Sequence, residues 1–197
     1  MSTTGQWAFY RQAEGKLLRA PLPSAPEAGE GWRGVELRRF HPLEQLDDLI
    51  EDTSTKVDVA LGVAVVDSAF AYVVASERHG DPLRLILGLE ASAAHERGSD
   101  ARARAGVPKR GTKGWGRSCA RGLARWSAFT PNQLRPEDIE DLLGEEPSDA
   151  VESARELLRL LGLELPAEAI PDPLDLQSVA REQAARQPEK RGLFRRR

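Results

Sequence analysis

Apolar and polar positions alternate through much of the first 90 residues. From Gln6 to Gln12, Trp7, Phe9 and Arg11 fall on one side, and Ala8, Tyr10 and Gln12 on the other. A period of two marks a strand. Lys16 to Ala20 follows across Ala13-Glu14-Gly15, so the two runs predict a hairpin. Residues 21 to 34 hold Pro21, Pro23, Pro26, Gly29, Gly31 and Gly34 and read as an irregular loop. Val35 to Phe40 alternates again and predicts a third strand.

At Pro42 the period changes. Proline suits the first helical position, where its missing N–H is not needed. Leu43, Leu46, Leu49 and Ile50 then recur at helical spacing, which leaves Glu44, Asp47, Asp48 and Glu51 to face water; Asp52 to Thr55 ends the helix. Lys56 to Glu90 is the most hydrophobic stretch. Val57, Val59, Leu61, Val63 and Val65 alternate strictly, a turn at Asp67-Ser68 returns the chain along Phe70, Tyr72 and Val74, and a turn at His79-Gly80-Asp81 leads to Leu83, Leu85, Leu87 and Leu89. Three consecutive antiparallel strands result. A buried helix over 59–75 is the competing reading, because several residues there are alanine.

Beyond residue 90 strands give way to helices. Ala91 to Gly106 has no clean period and reads as a mobile loop or frayed helix. Trp115 to Ala128 is amphipathic, with Trp115, Cys119, Leu123 and Trp126 as its apolar stripe, closed by Thr130-Pro131. Pro136-Glu137-Asp138 opens a helix that stops at Gly144, its acids offsetting the helix dipole. Pro147-Ser148-Asp149 opens another, with Val151, Ala154, Leu157, Leu158 and Leu161 buried and Gly162 as the stop. Strands first and helices later predict an α+β fold rather than a doubly wound parallel sheet. The expectation is an N-terminal antiparallel sheet of about five to six strands packed against C-terminal helices. Residues 1–165 form that single domain. Residues 166–197 form an extended or partly helical polar tail with a disordered basic end, Arg195-Arg196-Arg197.

Composition narrows the function classes. The 197 residues are 40% hydrophobic and 30% charged, with net charge −3. One cysteine excludes a disulfide framework and a cysteine-only zinc site, and fits a reducing compartment. No stretch is apolar enough to cross a membrane, and the N-terminus has no secretory pattern, so the expected location is the cytoplasm. Arginine outnumbers lysine 23 to 5, a bias that suits a GC-rich bacterial genome.

The charge layout changes the picture most. Residues 101–128 hold eight cations, Arg102, Arg104, Lys109, Arg110, Lys113, Arg117, Arg121 and Arg125, and no acid. Segregation of that kind marks an anionic partner. Lys113, Arg117, Arg121 and Arg125 are four apart and share a helix face, and Trp115 or Trp126 would stack on a base. The bland alternative is internal pairing with the helices after residue 134, since Arg135 to Glu182 holds 14 acids against 4 bases.

Other chemistry is thin. Gly106-Val-Pro-Lys-Arg-Gly111-Thr112-Lys113 resembles a phosphate loop but places threonine before lysine, and Pro108 removes an N–H donor. Gly111, Gly114 and Gly116 lead into a helix start that favours an anion. Cys119 with His41, His79 or His95 would make a nucleophile only in a polar setting, and it lies on an apolar stripe. The histidines lack metal spacing. Asp47, Asp48, Glu51 and Asp52 read as a solvated helix face, and Glu137, Asp138, Glu140 and Asp141 as helix-start charges. The aromatics Trp7, Phe9, Tyr10, Trp32, Phe40, Phe70 and Tyr72 read as core. The expectation is a non-enzymatic cytoplasmic interaction or regulatory protein with a protein partner, no membrane, no cofactor and no metal. The alternative is a nucleic-acid or phosphate-ligand binder using Lys113, Arg117, Arg121, Arg125 and Trp126.

Overall fold

A computed structural model describes residues 4–11, 27–37, 39–144 and 149–166. The expected strand Lys16–Ala20 and the tail from 167 lie outside these residues. Five strands form one antiparallel sheet: β1 (Gly5–Arg11), β2 (Trp32–Leu37), β3 (Val59–Val66), β4 (Phe70–Glu77) and β5 (Leu83–Leu87), in the order β2-β1-β3-β4-β5. Six helices cover it: α1 (Leu43–Val57), α2 (Leu89–Ala94), α3 (Gly98–Arg104), α4 (Thr112–Trp126), α5 (Pro136–Gly144) and α6 (Ala150–Leu161). The α+β expectation holds.

Both sheet faces are buried, which is why β3 reads as an unbroken apolar run. Phe9, Leu61, Val63, Val73 and Leu85 pack one face against α4, α5 and α6. Ala8, Val35, Ala64, Tyr72 and Ile86 pack the other against α1 and α3. Gly62 lets α1 sit close, since a Cβ there would come within 2.7 Å of Ile50 Cγ1. Gln6, fully buried, pins the start of α1 to β1: its amide donates to the His41 carbonyl at 2.8 Å and its oxygen accepts the His41 N–H at 2.9 Å.

Several element boundaries depart from the pattern; α4 spans Thr112–Trp126 rather than Trp115–Ala128, and β3 begins at Val59 rather than Val57. The strand expected at Val35–Phe40 runs instead over Trp32–Leu37, because Arg33, Val35 and Glu36 pair with Tyr10, Ala8 and Trp7 of β1. The helix expected to end by Thr55 continues to Val57, because Thr53, Ser54 and Val57 extend its buried stripe. Leu89 begins α2 rather than ending β5. Residues 91–106 are not a loose loop but carry α2 and α3. Gly98 makes that fold possible, since a Cβ there would lie 1.6 Å from the Ser92 carbonyl oxygen.

The Asp67-Ser68 turn is where the sequence placed it, with φ of 50° and 56°. Left-handed backbone at two adjacent residues gives the twist that suits a tight hairpin. The Thr4 hydroxyl donates to Asp67 at 2.7 Å, His95 Nε2 lies 3.2 Å from its other oxygen, and the Ala150 N–H donates to the Ser68 carbonyl. Chiefly the Thr4 hydrogen bond, helped by Arg97 and His95, holds the Asp67 carboxyl below its ordinary range. His95 is therefore ordered against the turn and Phe70, not part of an unstructured stretch.

Asp47 is the largest correction. It does not face water; its side chain is 5% exposed. Tyr72 donates its hydroxyl to Asp47 at 2.8 Å, Arg84 donates Nε at 3.0 Å, and Arg104 reaches it at 3.5 Å. Four residues after Leu43 and three before Ile50, it lies on the apolar stripe of α1, and the carboxylate is tolerated there because these donors satisfy it. Burial, with the neighbouring Asp47 charge, pushes the Tyr72 hydroxyl well above its ordinary value, so it stays a donor. Burial pulls the Arg84 guanidinium down, but Asp47 and Glu51 outweigh it and leave its pKa raised. Asp47→Ala should cost about 3 kcal/mol in urea unfolding at pH 7, since it strands a buried hydroxyl and a cation. Tyr72→Phe should cost about 1 kcal/mol. Equal costs would mean that the carboxylate is not the centre of the network.

Candidate functional site

The eight cations of 101–128 divide into two groups. Arg102 and Arg104 face inward. Arg102 donates to the Leu89 carbonyl at 3.0 Å, and Arg104 pairs with Asp100, Asp47 and Glu44. Internal pairing thus occurs, but with α1 and α3 rather than with the helices after residue 134. Three acids of those helices, Asp138, Glu152 and Glu156, are engaged locally, with Arg135, Arg155 and Arg159.

Lys109, Arg110, Lys113, Arg117, Arg121 and Arg125 are exposed. None of the six hydrogen-bonds or ion-pairs with a described residue, whereas every other described lysine and arginine has a hydrogen bond, ion pair, ring contact or electrostatic interaction. Four of them run along α4 as a ridge about 18 Å long, at about 1.5 Å per residue. Like charges at this spacing each cost the helix a few tenths of a kcal/mol. The start of α4 adds to the strain: Gly111 makes no side-chain cap and no acid lies in the first turn.

Trp126 leaves the candidate set. It is 5% exposed, donates its indole N–H to the Ser76 carbonyl at 3.3 Å, and meets Trp32 edge to face at 5.7 Å. It occupies the core because it falls on the same helix stripe as Cys119 and Leu123, which packs on the sheet. Trp115 is half-buried and ties its N–H to the Ala105 carbonyl at 2.8 Å, so it anchors α4 to the end of α3. The ridge therefore carries no freely exposed ring for stacking.

Sequence reasoning missed what lies beside the ridge. Lys113 and Arg117 of α4 and Glu140 and Leu143 of α5 line one cleft of about 340 Å³, together with Trp115 and Leu89. The start of α4 thus meets the end of α5, and the two helices run antiparallel. The exposed residues of α5 are Glu137, Glu140, Asp141 and Gly144. Among the described residues Glu140 and Asp141 make no hydrogen bond or ion pair, and Glu137 acts only through its charge on Arg135, although cations without a described partner lie on the neighbouring helix. The signal was present as i, i+3, i+4 spacing in α5, but its position against α4 required the packing.

The other features resolve simply. The Gly106–Lys113 stretch follows helix α3 and not a strand, so the strand–loop–helix frame of a phosphate loop is not met. Cys119 is buried with its Sγ 3.8 Å from the Arg84 carbonyl, and burial pushes its thiol up to about 11. His41 sits 3.3 Å from the Gln45 side-chain oxygen, and His79 occupies the β4–β5 turn with φ of 70°. Among the described residues no group of three or more His, Cys, Asp or Glu could hold a metal, and no helix is long and apolar enough to cross a membrane. Comparison with protein-family models, with curated proteins and with solved structures finds no match.

Two measurements follow. Cys119 in the native protein should alkylate at pH 8 roughly two orders of magnitude slower than a free thiol, because so little thiolate exists below a pKa of about 11. A rate near that of a free thiol would place it at the surface. Gly114 and Gly116 lie in α4 where an added Cβ meets nothing within 4 Å, unlike Gly122, whose Cβ would press on Leu83. Gly114→Ala and Gly116→Ala should each stabilise the fold by about 0.5–1 kcal/mol in thermal unfolding.

Proposed function

We propose that this chain is a non-enzymatic interaction protein of the cytoplasm whose working surface is the face formed by α4 and α5. One observation carries the reading: the described cations without a described partner form one block, 109–125, whose Lys113 and Arg117 share a cleft with the exposed Glu140. Repulsion along α4 and the uncapped helix start cost stability, and a complementary surface recovers it. The half-buried Trp115, Leu143 and Leu89 supply an apolar centre with charges at its rim, the usual anatomy of a protein interface.

A second reading has its own support. Cations four residues apart over about 18 Å suit a phosphate backbone. Without a free aromatic ring, such binding would rest on Lys113, Arg117, Arg121 and Arg125 alone and be blind to sequence. The flanking acids oppose it, because a polyanion laid on the ridge runs close to Glu140.

Fluorescence anisotropy of labelled single- and double-stranded DNA and RNA over a salt series separates the two. The interaction reading expects no binding at physiological salt. Binding that falls steeply with salt, with a log–log slope near −0.9 per neutralised phosphate on duplex, would replace it with the nucleic-acid reading. That binding would have to be lost in the Arg117→Ala, Arg121→Ala, Arg125→Ala variant.

A further inference from the structure

We infer that the α4–α5 face is self-complementary and that its partner is a second copy of this chain, an inference that rests on the interaction reading above. The basic ridge of α4 begins where the acidic helix α5 ends, and Leu89, Trp115 and Leu143 line the seam between them at that end. A two-fold axis lying in the interface along that seam carries α4 of one copy over α5 of the other, and α5 over α4, in a single operation. The axis preserves position along the seam. Lys113 and Arg117, which share the cleft with Glu140, therefore come opposite Glu140 and Asp141 of the second copy. Arg121 and Arg125, further along α4, come opposite Glu137 near the other end of α5. Interfaces of this isologous kind are closed, and each contact occurs twice. Both charge sets are satisfied at once, and the clefts that Trp115 and Leu143 line come to face each other.

Other occupants fit less well. A nucleic acid meets the cations but also three carboxylates. An acidic protein satisfies α4 and leaves Glu137, Glu140 and Asp141 unpaired or repelled. A different protein would need both charge rows in the mirrored order, which this chain already has. The face is small, about 18 Å along the helices and about 20 Å across at roughly 10 Å per helix. That footprint, about 360 Å² per copy, is below the range of stable specific interfaces, so the dimer is weak and transient, concentration-dependent and sensitive to salt.

The test is sedimentation velocity of the full chain from about 5 to 500 µM at low and at high salt, with two charge-reversed variants. One is Lys113→Glu with Arg117→Glu, Arg121→Glu and Arg125→Glu, which makes both helices acidic. The other is Glu137→Lys with Glu140→Lys and Asp141→Lys, which makes both basic. The wild type should dimerise at low salt and dissociate as salt rises. Each variant alone should dissociate at least about tenfold more readily, because like charges then face each other twice. An equimolar mixture of the two should dimerise again, since each acidic helix then meets a basic one; this recovery also establishes that both variants fold.

A wild type that stays monomeric over the whole range overturns the inference, as does a dimer that both reversals leave intact. Duplex DNA in the same cell separates the levels. A monomer that binds no DNA removes the second copy as partner and leaves the interaction reading standing. A monomer that binds DNA, more tightly still in the triple-lysine variant, removes both.

Discussion

The Asp47 carboxylate fixes the layout of the charged face. Buried between α1 and the sheet, it accepts from Tyr72 of β4, Arg84 of β5 and Arg104 of α3. A buried carboxylate is stable only when its donors are in place, so the one group ties four elements to a single arrangement. Through Arg104 it holds α3 against α1, and the Ala105 carbonyl at the end of α3 receives the Trp115 indole. The start of α4, and with it the direction of the basic ridge, is positioned by that chain of contacts.

The same contacts explain the division of the basic segment. Charges near the centre of the molecule are neutralised with near-complete hydrogen bonding, as Arg84 and Arg104 are, because burial makes an unpaired charge costly. Charges on α4 from Lys113 outward stand in water, where an unpaired cation costs little on its own. What they cost is mutual repulsion and a poor fit to the helix dipole. A surface built against its own helix in this way is where a partner contributes most, whereas the local pairs on α5 and α6 are ordinary exposed ion pairs worth little each.

Much of the fold was legible because it rests on local periodicity. The alternation through 59–66 and 70–77, the turn at Asp67-Ser68, and the helices opened by Pro136 and capped at Asp149 and Gly162 all stand where the pattern put them. Asp149 accepts the Val151 N–H and Gly162 takes the left-handed conformation that ends α6, both requirements of one helix end and therefore visible in the residues at that end. The misses fall where distant groups decide. Helices of six and seven residues at 89–104 carry too little periodicity to read, and they are held by Gly98 against Ser92 and by Arg102 on Leu89.

The candidate site follows the same division. The chain by itself determined which residues are charged, that Lys113, Arg117, Arg121 and Arg125 share one helix face, and that Trp126 lies on the opposite, apolar stripe, since helical spacing is a local property. Tertiary structure alone decided that Asp47 is internal, that Arg104 is spent on it, and that Trp126 packs against Trp32. It alone decided that Glu140 of α5 shares a cleft with Lys113 and Arg117 of α4 without pairing with them. Each of these depends on a contact between residues far apart in sequence, and an ionisable side chain reads the same in the chain whether water or a buried partner will surround it.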